Sequence, residues 1–215
     1  MIPIAITLFE RIFPWILWRG DPNDARIHLT FDDGPHPEFT PKILDILGEY
    51  DTSAAFFVTG NQARLHPGLV RRIANQGHQI GNHGYTHCSL AFRKKETVLA
   101  EIVRTDHTLS QILGKKPDLF RPPYGRFDPR FRSWMAKTGH RMVLWSLLSK
   151  DYFESDPSRL VQRATRLIHA GAIVLFHDGH LRTPLTIRIL PTFLEAVLGR
   201  GFRCSPLPSP WDPCQ

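Results

Sequence analysis

The sequence predicts an α/β protein in which parallel strands alternate with helices. Two observations carry this prediction: short apolar runs of strand length alternate with amphipathic stretches between residues 26 and 204, and glycine ends most of the amphipathic stretches. We count about seven strands and find no linker, repeat or low-complexity segment, which favours a single domain. A closed barrel and an open doubly wound sheet both fit this alternation, and in both folds ligands meet the carboxyl ends of the strands.

The predicted elements follow in regular order along the chain. Strands are expected at 26–31, 53–58, 78–82, 117–120, 141–145, 172–176 and 202–204. Helices are expected at 40–50, 67–76, 94–113, 128–138, 157–170 and 184–199. Three helix starts pair a capping side chain with a following proline, at Thr40-Pro41, Asp128-Pro129 and Asp156-Pro157.

The chain divides into an apolar lead-in (residues 1–25), a main domain (26–205) and a Pro-rich tail (206–215). Glu10 and Arg11 interrupt the lead-in, whose longest apolar run has fewer than ten residues. These features argue against a secretory signal and against a spanning helix. We expect residues 1–20 to pack on the domain or to make peripheral contact with a membrane surface. A cytoplasmic or membrane-associated protein is therefore expected rather than a secreted one.

The charge balance narrows the classes of partner. With 27 basic and 20 acidic residues the formal net charge is +7, which favours anionic partners. The basic residues are scattered, and neither zinc-finger spacing nor aromatic interleaving is present. We therefore expect a solvated basic surface on a monomer that does not bind nucleic acid.

Titratable or metal-competent side chains follow most of the predicted strands. Asp32 and Asp33 end the first strand, within HLTFDDGPHPEFTP (28–41), and His83 and His87 follow the third. The fourth strand is followed by RPPYGR (121–126) and the sixth by HDGH (177–180). Because the carboxyl ends of parallel strands share one edge of the sheet, these residues are expected to face a common site.

The histidine pair suggests a metal. His83 and His87 are four residues apart, so in a helical turn both imidazoles project from one face and can bind one ion. An aspartate from the first strand completes a two-histidine, one-carboxylate set, which suits zinc and also accepts cobalt, nickel or iron(II). Asp33 or Asp32 supplies that ligand and leaves the other carboxylate as a base. The alternative is that Asp-Asp-Gly forms an ordinary polar turn.

Five short motifs lie in order along the main domain. They are TFDDGP (30–35), HGYTH (83–87), RPPYG (121–125), Trp145 with Asp151, and LFH (175–177). Together they resemble the motifs of the polysaccharide deacetylase family, carbohydrate esterase family 4, to which nodulation-type chitooligosaccharide deacetylases belong. The resemblance implies a distorted (β/α) barrel of about seven parallel strands that is the catalytic domain. It also implies one divalent metal and hydrolysis of the N-acetyl group of an N-acetylglucosamine-type sugar, in a chitooligosaccharide, peptidoglycan or a lipid-linked amino sugar.

The resemblance also assigns roles to residues in the first three motifs. Asp33, His83 and His87 look like the metal ligands. Asp32 resembles the general base that takes a proton from the attacking water, and Arg121 resembles the residue that pairs with this base and orients it.

The remaining roles concern the leaving group and the groove. His177 resembles the general acid for the departing amine, and Asp151 the carboxylate that tunes this histidine. Tyr124 lies where the family uses a backbone N–H to stabilise the oxyanion. The groove contacts are expected at Pro123, Trp145 and Leu175.

Motif four departs from the family pattern. Leu148 replaces the first acid of the pattern and Tyr152 replaces its second tryptophan, whereas Asp151 is retained. The departure therefore concerns the wall of the groove. Two other functions compete with N-deacetylation: another C–N hydrolase on the same scaffold, and a non-catalytic carbohydrate-binding protein.

Overall fold

Parallel strands dominate the structure, a computed structural model that describes residues 4–208. The strands are β1 (Ile16–Leu17), β2 (Arg26–Asp32), β3 (Ala54–Val58), β4 (Gln79–Asn82), β5 (Leu119–Phe120), β6 (Arg141–Val143), β7 (Leu147–Leu148), β8 (Ile173–His177) and β9 (Arg203–Cys204). The helices are α1 (Ile4–Ile12), α2 (Phe39–Glu49), α3 (Gly60–Leu65), α4 (Pro67–Asn75), α5 (Lys95–Leu113), α6 (Phe131–Thr138), α7 (Pro157–Leu167) and α8 (Thr183–Leu198).

The strands form one curled sheet. Its order is β1-β6-β5-β4-β3-β2-β8-β7, every neighbouring pair is parallel, and β9 pairs separately with β2. Arg19, after β1, forms a bridge with Ala172, before β8, and the Ser146 N–H donates to the Ile173 carbonyl at 3.2 Å. These contacts bring the two sides of the sheet together. The prediction of a distorted (β/α) barrel in one domain is confirmed, with the sheet as a curled half-barrel.

The predicted elements all form, with ends that differ by at most three residues, and the described residues contain two more strands, two more α-helices and a short 3-10 helix at Pro123–Gly125. The additional strands, β1 and β7, have two residues each, which is too short for an alternating pattern to be visible in the sequence. The additional α-helices are α1 in the lead-in and the six-residue α3. The second half of the lead-in packs on the domain, because Ile16 and Trp18 are buried and β1 is the edge strand beside β6.

Two of the three predicted helix starts are wrong. Helix α2 begins at Phe39, so Thr40 lies inside it and its hydroxyl donates to Asp178 at 2.5 Å instead of capping. Helix α6 begins at Phe131, three residues after Asp128. The Asp128 carboxylate accepts hydrogen bonds from the backbone N–H groups of Phe92 and Arg130. At Asp156 the prediction is confirmed, since its carboxylate accepts from the first turn of α7. In the two wrong cases a tertiary contact uses the side chain that the sequence offers as a cap.

The alternation along β2 decides which side chains reach the site. Phe31 points toward the helices, where it stacks between Phe56 and Phe176 with ring centroids 5.1 and 5.8 Å apart. Thr30 and Asp32 point the other way, into the interior of the curled sheet, because strand side chains alternate between faces. The strand thus anchors itself in the core with one face and presents Asp32 with the other.

The carboxyl end of the described chain packs against the base of the sheet. Gln79 exchanges two hydrogen bonds with the backbone of Leu207, and His28 Nδ1 lies 2.8 Å from the Pro206 carbonyl oxygen. The rest of the predicted tail, beyond residue 208, is outside the described residues. In the part of the chain that is described, no helix has the length and apolarity needed to span a membrane.

A close backbone approach joins the loops after β2 and β8. A Cβ atom on Gly179 would lie 2.5 Å from the Asp33 carbonyl oxygen, so only glycine fits there without moving the Asp33 turn. We predict that Gly179→Ala lowers the free energy of unfolding by about 1–3 kcal/mol, as overpacked buried contacts do. Urea unfolding measures this change.

Gly48→Ala is the matched control for this substitution. Gly48 lies near the end of α2 with open space around it, so the alanine should be neutral or should stabilise by up to about 1 kcal/mol. Equal losses in the two variants would contradict the proposed packing of the two loops.

Candidate active site

A cleft of about 650 Å³ opens at the carboxyl ends of the strands. Eight of the eleven residues that the sequence suggests for the site line it: Asp32, Asp33, His83, His87, Tyr124, Trp145, Leu175 and His177. Arg121 and Asp151 lie behind this lining, each bonded to a residue that faces the cleft. The eleventh, Pro123, is buried near Gly84 and is absent from the lining, so its predicted groove contact is not found.

Asp33, His83 and His87 converge on one point. The Asp33 Oδ1 atom lies 3.5 Å from His83 Nε2 and 2.9 Å from His87 Nε2. One donor atom from each residue lies within 4.8 Å of the other two, and among residues 4–208 this is the single group of that kind. Burial would raise the pKa of Asp33, but the two neighbouring imidazoles outweigh it and lower the pKa below its usual range. The carboxylate is therefore ionised and ready to bind a cation.

Local backbone geometry and one hydrogen bond aim these three donors. Asp33 and His87 have φ of 79° and 59°, in the left-handed region that residues other than glycine rarely adopt. Such conformations cost about 1–3 kcal/mol each and persist where the surroundings impose them. His83 Nδ1 lies 2.7 Å from the Arg121 carbonyl oxygen and donates to it, which leaves Nε2 as the nitrogen that faces the cleft.

Asp32, which directly precedes Asp33, belongs to a different hydrogen-bond network. Its Oδ1 atom accepts from Nη1 of Arg121 at 2.6 Å, and the same Nη1 donates to Thr30 Oγ1 at 2.8 Å. The Asp32 Oδ2 atom lies 3.7 Å from His83 Nε2. One carboxylate oxygen is thus held by Arg121 and the other faces the cleft beside the three-donor cluster.

His177 is held by Asp151 on the other side of the cleft. The imidazole Nδ1 donates to Asp151 Oδ1 at 2.9 Å, and the His177 backbone N–H donates to Asp151 Oδ2 at 2.8 Å. Ser149 and Thr186 hydroxyls bond the same carboxylate at 3.0 and 2.8 Å. Burial opposes protonation of His177, but Asp151, with help from the charges of Asp32 and Asp33, raises its pKa to about 9. The imidazole is therefore a cation near neutral pH, with Nε2 turned away from Asp151.

The altered motif four forms part of the cleft wall. Leu148 and Tyr152 line the cleft, and the Tyr152 ring lies edge-on to His177 with centroids 5.5 Å apart. Tyr124, at φ 61°, faces His87 across 4.7 Å between ring centroids. His180, at the end of the HDGH segment, also lines the cleft. The wall combines aromatic faces with hydrogen-bonding groups, a composition suited to a polar ring such as a sugar.

Asp178 is a buried carboxylate that sequence reasoning did not select. It accepts from the Gly34 N–H at 3.1 Å and from the Thr40 hydroxyl at 2.5 Å, and so ties the turn after β2 to the loop after β8. Burial raises its pKa to about 7, and the charge of Asp33 acts in the same direction. Its position directly after His177, in HDGH, was the available signal.

The donor set fits a divalent metal. Two imidazole nitrogens and one carboxylate oxygen suit zinc and its neighbours in the first transition series. Metal–ligand distances of about 2.0–2.1 Å place two tetrahedral donors roughly 3.3 Å apart, close to the 2.9 and 3.5 Å between Asp33 and the two histidines. Three protein ligands would leave a position for water or substrate.

Comparisons with known proteins identify the family. The sequence model of the polysaccharide deacetylase family matches residues 19–143 of this chain. A peptidoglycan-N-acetylglucosamine deacetylase of Bacillus cereus is 34% identical over 205 residues, which cover 92% of this chain and 74% of the relative. A chitooligosaccharide deacetylase of Bradyrhizobium sp. is 33% identical over 202 residues, which cover 88% of this chain and 92% of the relative.

Solved structures agree with this match. The crystal structure of a peptidoglycan N-acetylglucosamine deacetylase superposes with a TM-score of 0.89 at 31% identity, covering 93% of this chain and 94% of that one. A carbohydrate esterase family 4 pseudoenzyme from Bacillus anthracis superposes with a TM-score of 0.81 at 26% identity, covering 88% and 66%. The fold thus occurs with and without catalysis, and activity has to be argued from the residues of the site. On the extent of these matches, the chain belongs to the polysaccharide deacetylase family.

Proposed function

We propose that the protein is a metal-dependent hydrolase that removes the N-acetyl group from N-acetylglucosamine-type sugars. The observation that carries this proposal is the register of β2 and β8, which pairs Asp32 with His177 beside the Asp33–His83–His87 cluster. A base and an acid thus flank a candidate metal site, as hydrolysis of an unactivated amide requires. The names of the relatives, which specify peptidoglycan and chitooligosaccharide, support an N-acetylated glycan as the substrate.

The proposed ligands are Asp33, His83 and His87, and the proposed ion is one divalent metal, zinc first and cobalt, nickel or iron(II) as substitutes. Such an ion lowers the pKa of water toward neutrality and polarises a carbonyl oxygen. Asp32 accepts the proton that the attacking water loses as its oxygen bonds to the acetyl carbon. Arg121 keeps one Asp32 oxygen fixed, so the free oxygen stays aimed at the cleft.

His177 completes the reaction at the nitrogen atom. When the C–N bond of the tetrahedral intermediate breaks, Nε2 of His177 donates a proton to the departing nitrogen, and the products are acetate and an amine. Asp151 holds the imidazole in the tautomer and charge state that this step needs. Tyr124 is proposed to supply a backbone N–H to the oxyanion, and Trp145 and Leu175 to contact the sugar from the cleft wall.

Two other functions were considered. A metal-free C–N hydrolase would not need the convergence of two imidazoles on Asp33, which the structure contains. A non-catalytic sugar-binding protein, comparable to the pseudoenzyme neighbour, would not need both the Arg121–Asp32 pair and the Asp151–His177 pair at the cleft. The presence of both pairs favours catalysis.

The first test is activity with and without a chelator. Purified protein incubated with N-acetylglucosamine oligomers should release acetate, lose that activity after dialysis against a chelator, and regain it with added zinc or cobalt. Full activity in metal-free protein would overturn the metal role. Absence of activity with every added metal on both chitin and peptidoglycan oligomers would overturn the deacetylase proposal.

The second test separates the two adjacent aspartates. His83→Ala and His87→Ala should lose the metal, because each removes one of three ligands. Asp32→Asn should keep the metal, because Asp32 is not one of the three ligands, and should lose about 10²–10⁴-fold in turnover, because the proton acceptor is removed. Elemental analysis alongside kcat measures both effects. Loss of metal in Asp32→Asn, with retention in Asp33→Asn, would exchange the proposed roles.

The third test concerns pH. A protonated His177 is needed for proton donation, so kcat/KM should fall as pH rises through its pKa, which lies at about 9 in the metal-free protein. Asp151→Asn removes the interaction that supports this proton, and the alkaline limb should move to lower pH with the metal content unchanged. Glu154→Gln is the matched control, because the Glu154 carboxylate accepts from the backbone N–H groups of Ser155 and Asp156 in its own turn. An unmoved limb in Asp151→Asn would show that Asp151 does not govern the proton on His177.

A further inference from the structure

The two histidines of the cluster are joined by a short loop, residues 84–86, here called the ligand loop. The loop begins with Gly84 at φ 74° and leads into His87 at φ 59°. Two left-handed positions within four residues turn the chain sharply enough to bring the imidazoles of His83 and His87 to one side, with ring centroids 5.1 Å apart. The geometry of the cluster therefore depends on what holds this loop.

The backbone of the ligand loop is bonded on both sides. The Gly84 N–H donates to Asn82 Oδ1 at 2.8 Å. The carbonyl oxygens of Gly84 and Tyr85 accept from the first two N–H groups of α3, those of Gly60 and Asn61, at 2.9 and 3.0 Å. These contacts, made by the Asn82 side chain and by the backbone of α3, hold one side of the loop.

One side chain fixes the other side. The Glu101 carboxylate, on α5, accepts from the backbone N–H of Tyr85 and from that of Thr86, both at 2.8 Å to Oε2. The Thr86 hydroxyl donates to Oε1 at 3.1 Å. A half-buried carboxylate that accepts two backbone N–H groups makes charge-assisted bonds, which are stronger than bonds between neutral groups.

Removal of that carboxylate would take away the hydrogen bonds from α5 to the loop backbone. The Arg104 guanidinium, 3.7 Å from the centroid of the Tyr85 ring, would still contact the loop from α5, but it bonds no backbone group there. His87 is not glycine, so relaxation of its φ to negative values would relieve backbone strain. The same relaxation would swing its imidazole away from Asp33, which it approaches to 2.9 Å in the structure. Glu101 itself touches none of the three cluster donors, so its influence on them passes through the loop.

We propose that Glu101 is a positioning residue for the metal: its carboxylate holds the ligand loop in the conformation that directs His83 and His87 at the ion held by Asp33. This inference rests on the metal site of the proposed function and goes beyond it. Through Glu101, helix α5 would then influence the affinity of the site for the metal. Outer partners of metal ligands typically contribute 10–100-fold to affinity.

The test is zinc affinity, measured by competition with a chromophoric chelator, in the full chain. Glu101→Ala should bind zinc about 10–100-fold more weakly than the wild type. Glu101→Gln should lie within a few-fold of the wild type, because its amide oxygen still accepts the two N–H groups and the Thr86 hydroxyl can rotate to accept from its NH₂ group. Glu96→Ala is the control, since Glu96 lies in the first turn of the same helix and is exposed.

A second readout separates positioning from general destabilisation. With cobalt in place of zinc, the visible spectrum reports the ligand set, and Glu101→Ala should show an altered spectrum at saturating metal while Glu101→Gln retains that of the wild type. Glu101→Asp, with a carboxylate one methylene shorter, should fall between the two, and replaces the alanine variant if that variant does not fold.

The outcomes are distinct. Wild-type affinity and spectrum in Glu101→Ala or Glu101→Asp would overturn the inference and leave the proposed function standing. Equal loss in Glu101→Ala and Glu96→Ala would also overturn it, because the effect would belong to the helix as a whole. A wild-type protein that binds neither zinc nor cobalt would overturn the metal proposal and this inference together.

Discussion

The buried guanidinium of Arg121 is the contact on which the rest of the site depends. Its side chain is fully shielded from solvent, stacks over the Phe57 ring at 4.0 Å, and donates to the carbonyl oxygens of Val143 and Leu144 at 3.3 and 3.1 Å. It also pairs with Asp32, so the buried charge is neutralised. Loss of one partner of a buried ion pair typically costs about 3–5 kcal/mol, because the other charge is left uncompensated. The interior of the sheet is thus built around a polar group.

The same residue places two neighbouring carboxylates in different surroundings. Through its side chain Arg121 holds Asp32, and through its carbonyl oxygen it accepts the Nδ1 proton of His83. Asp32 is therefore engaged inside the sheet, whereas Asp33, turned outward by its left-handed backbone, meets the histidines. A single strand end thereby presents two carboxylates in different surroundings, and the proposed function assigns one to proton transfer and the other to a cation. Strand alternation and one strained residue are sufficient to divide them.

Much of the fold and of the cleft was predictable because both follow short-range patterns. Apolar runs and glycine stops mark strands and helices, and the strand ends identify where Asp32, His83 and His177 gather. The two-residue strands β1 and β7 escaped prediction because an alternating pattern needs more residues than they have. The sequence predicts Thr40 as a helix cap. It does not show that the Thr40 hydroxyl instead donates a hydrogen bond to Asp178, 138 residues later.

The supporting residues were harder to predict for a related reason. Glu101 lies in an amphipathic helix, where a glutamate is ordinary, and only the folded chain shows that it accepts from the ligand loop. Pro123 was expected in the groove because it belongs to a recognised motif, but it packs behind the cleft near Gly84. Membership of a motif thus marks a residue as part of the site but does not show whether it lines the cleft, as Asp32 does, or lies behind the lining, as Arg121 does. Contacts between distant segments remain invisible in a single sequence.

Anomalous diffraction from crystals grown with zinc tests directly whether Asp33, and not Asp32, binds the metal. We predict one strong peak within bonding distance of Asp33 Oδ1, His83 Nε2 and His87 Nε2, with the Asp32 carboxylate outside the coordination sphere and still paired with Arg121. A peak coordinated by Asp32 in place of Asp33, or a peak remote from the histidine pair, would contradict this arrangement.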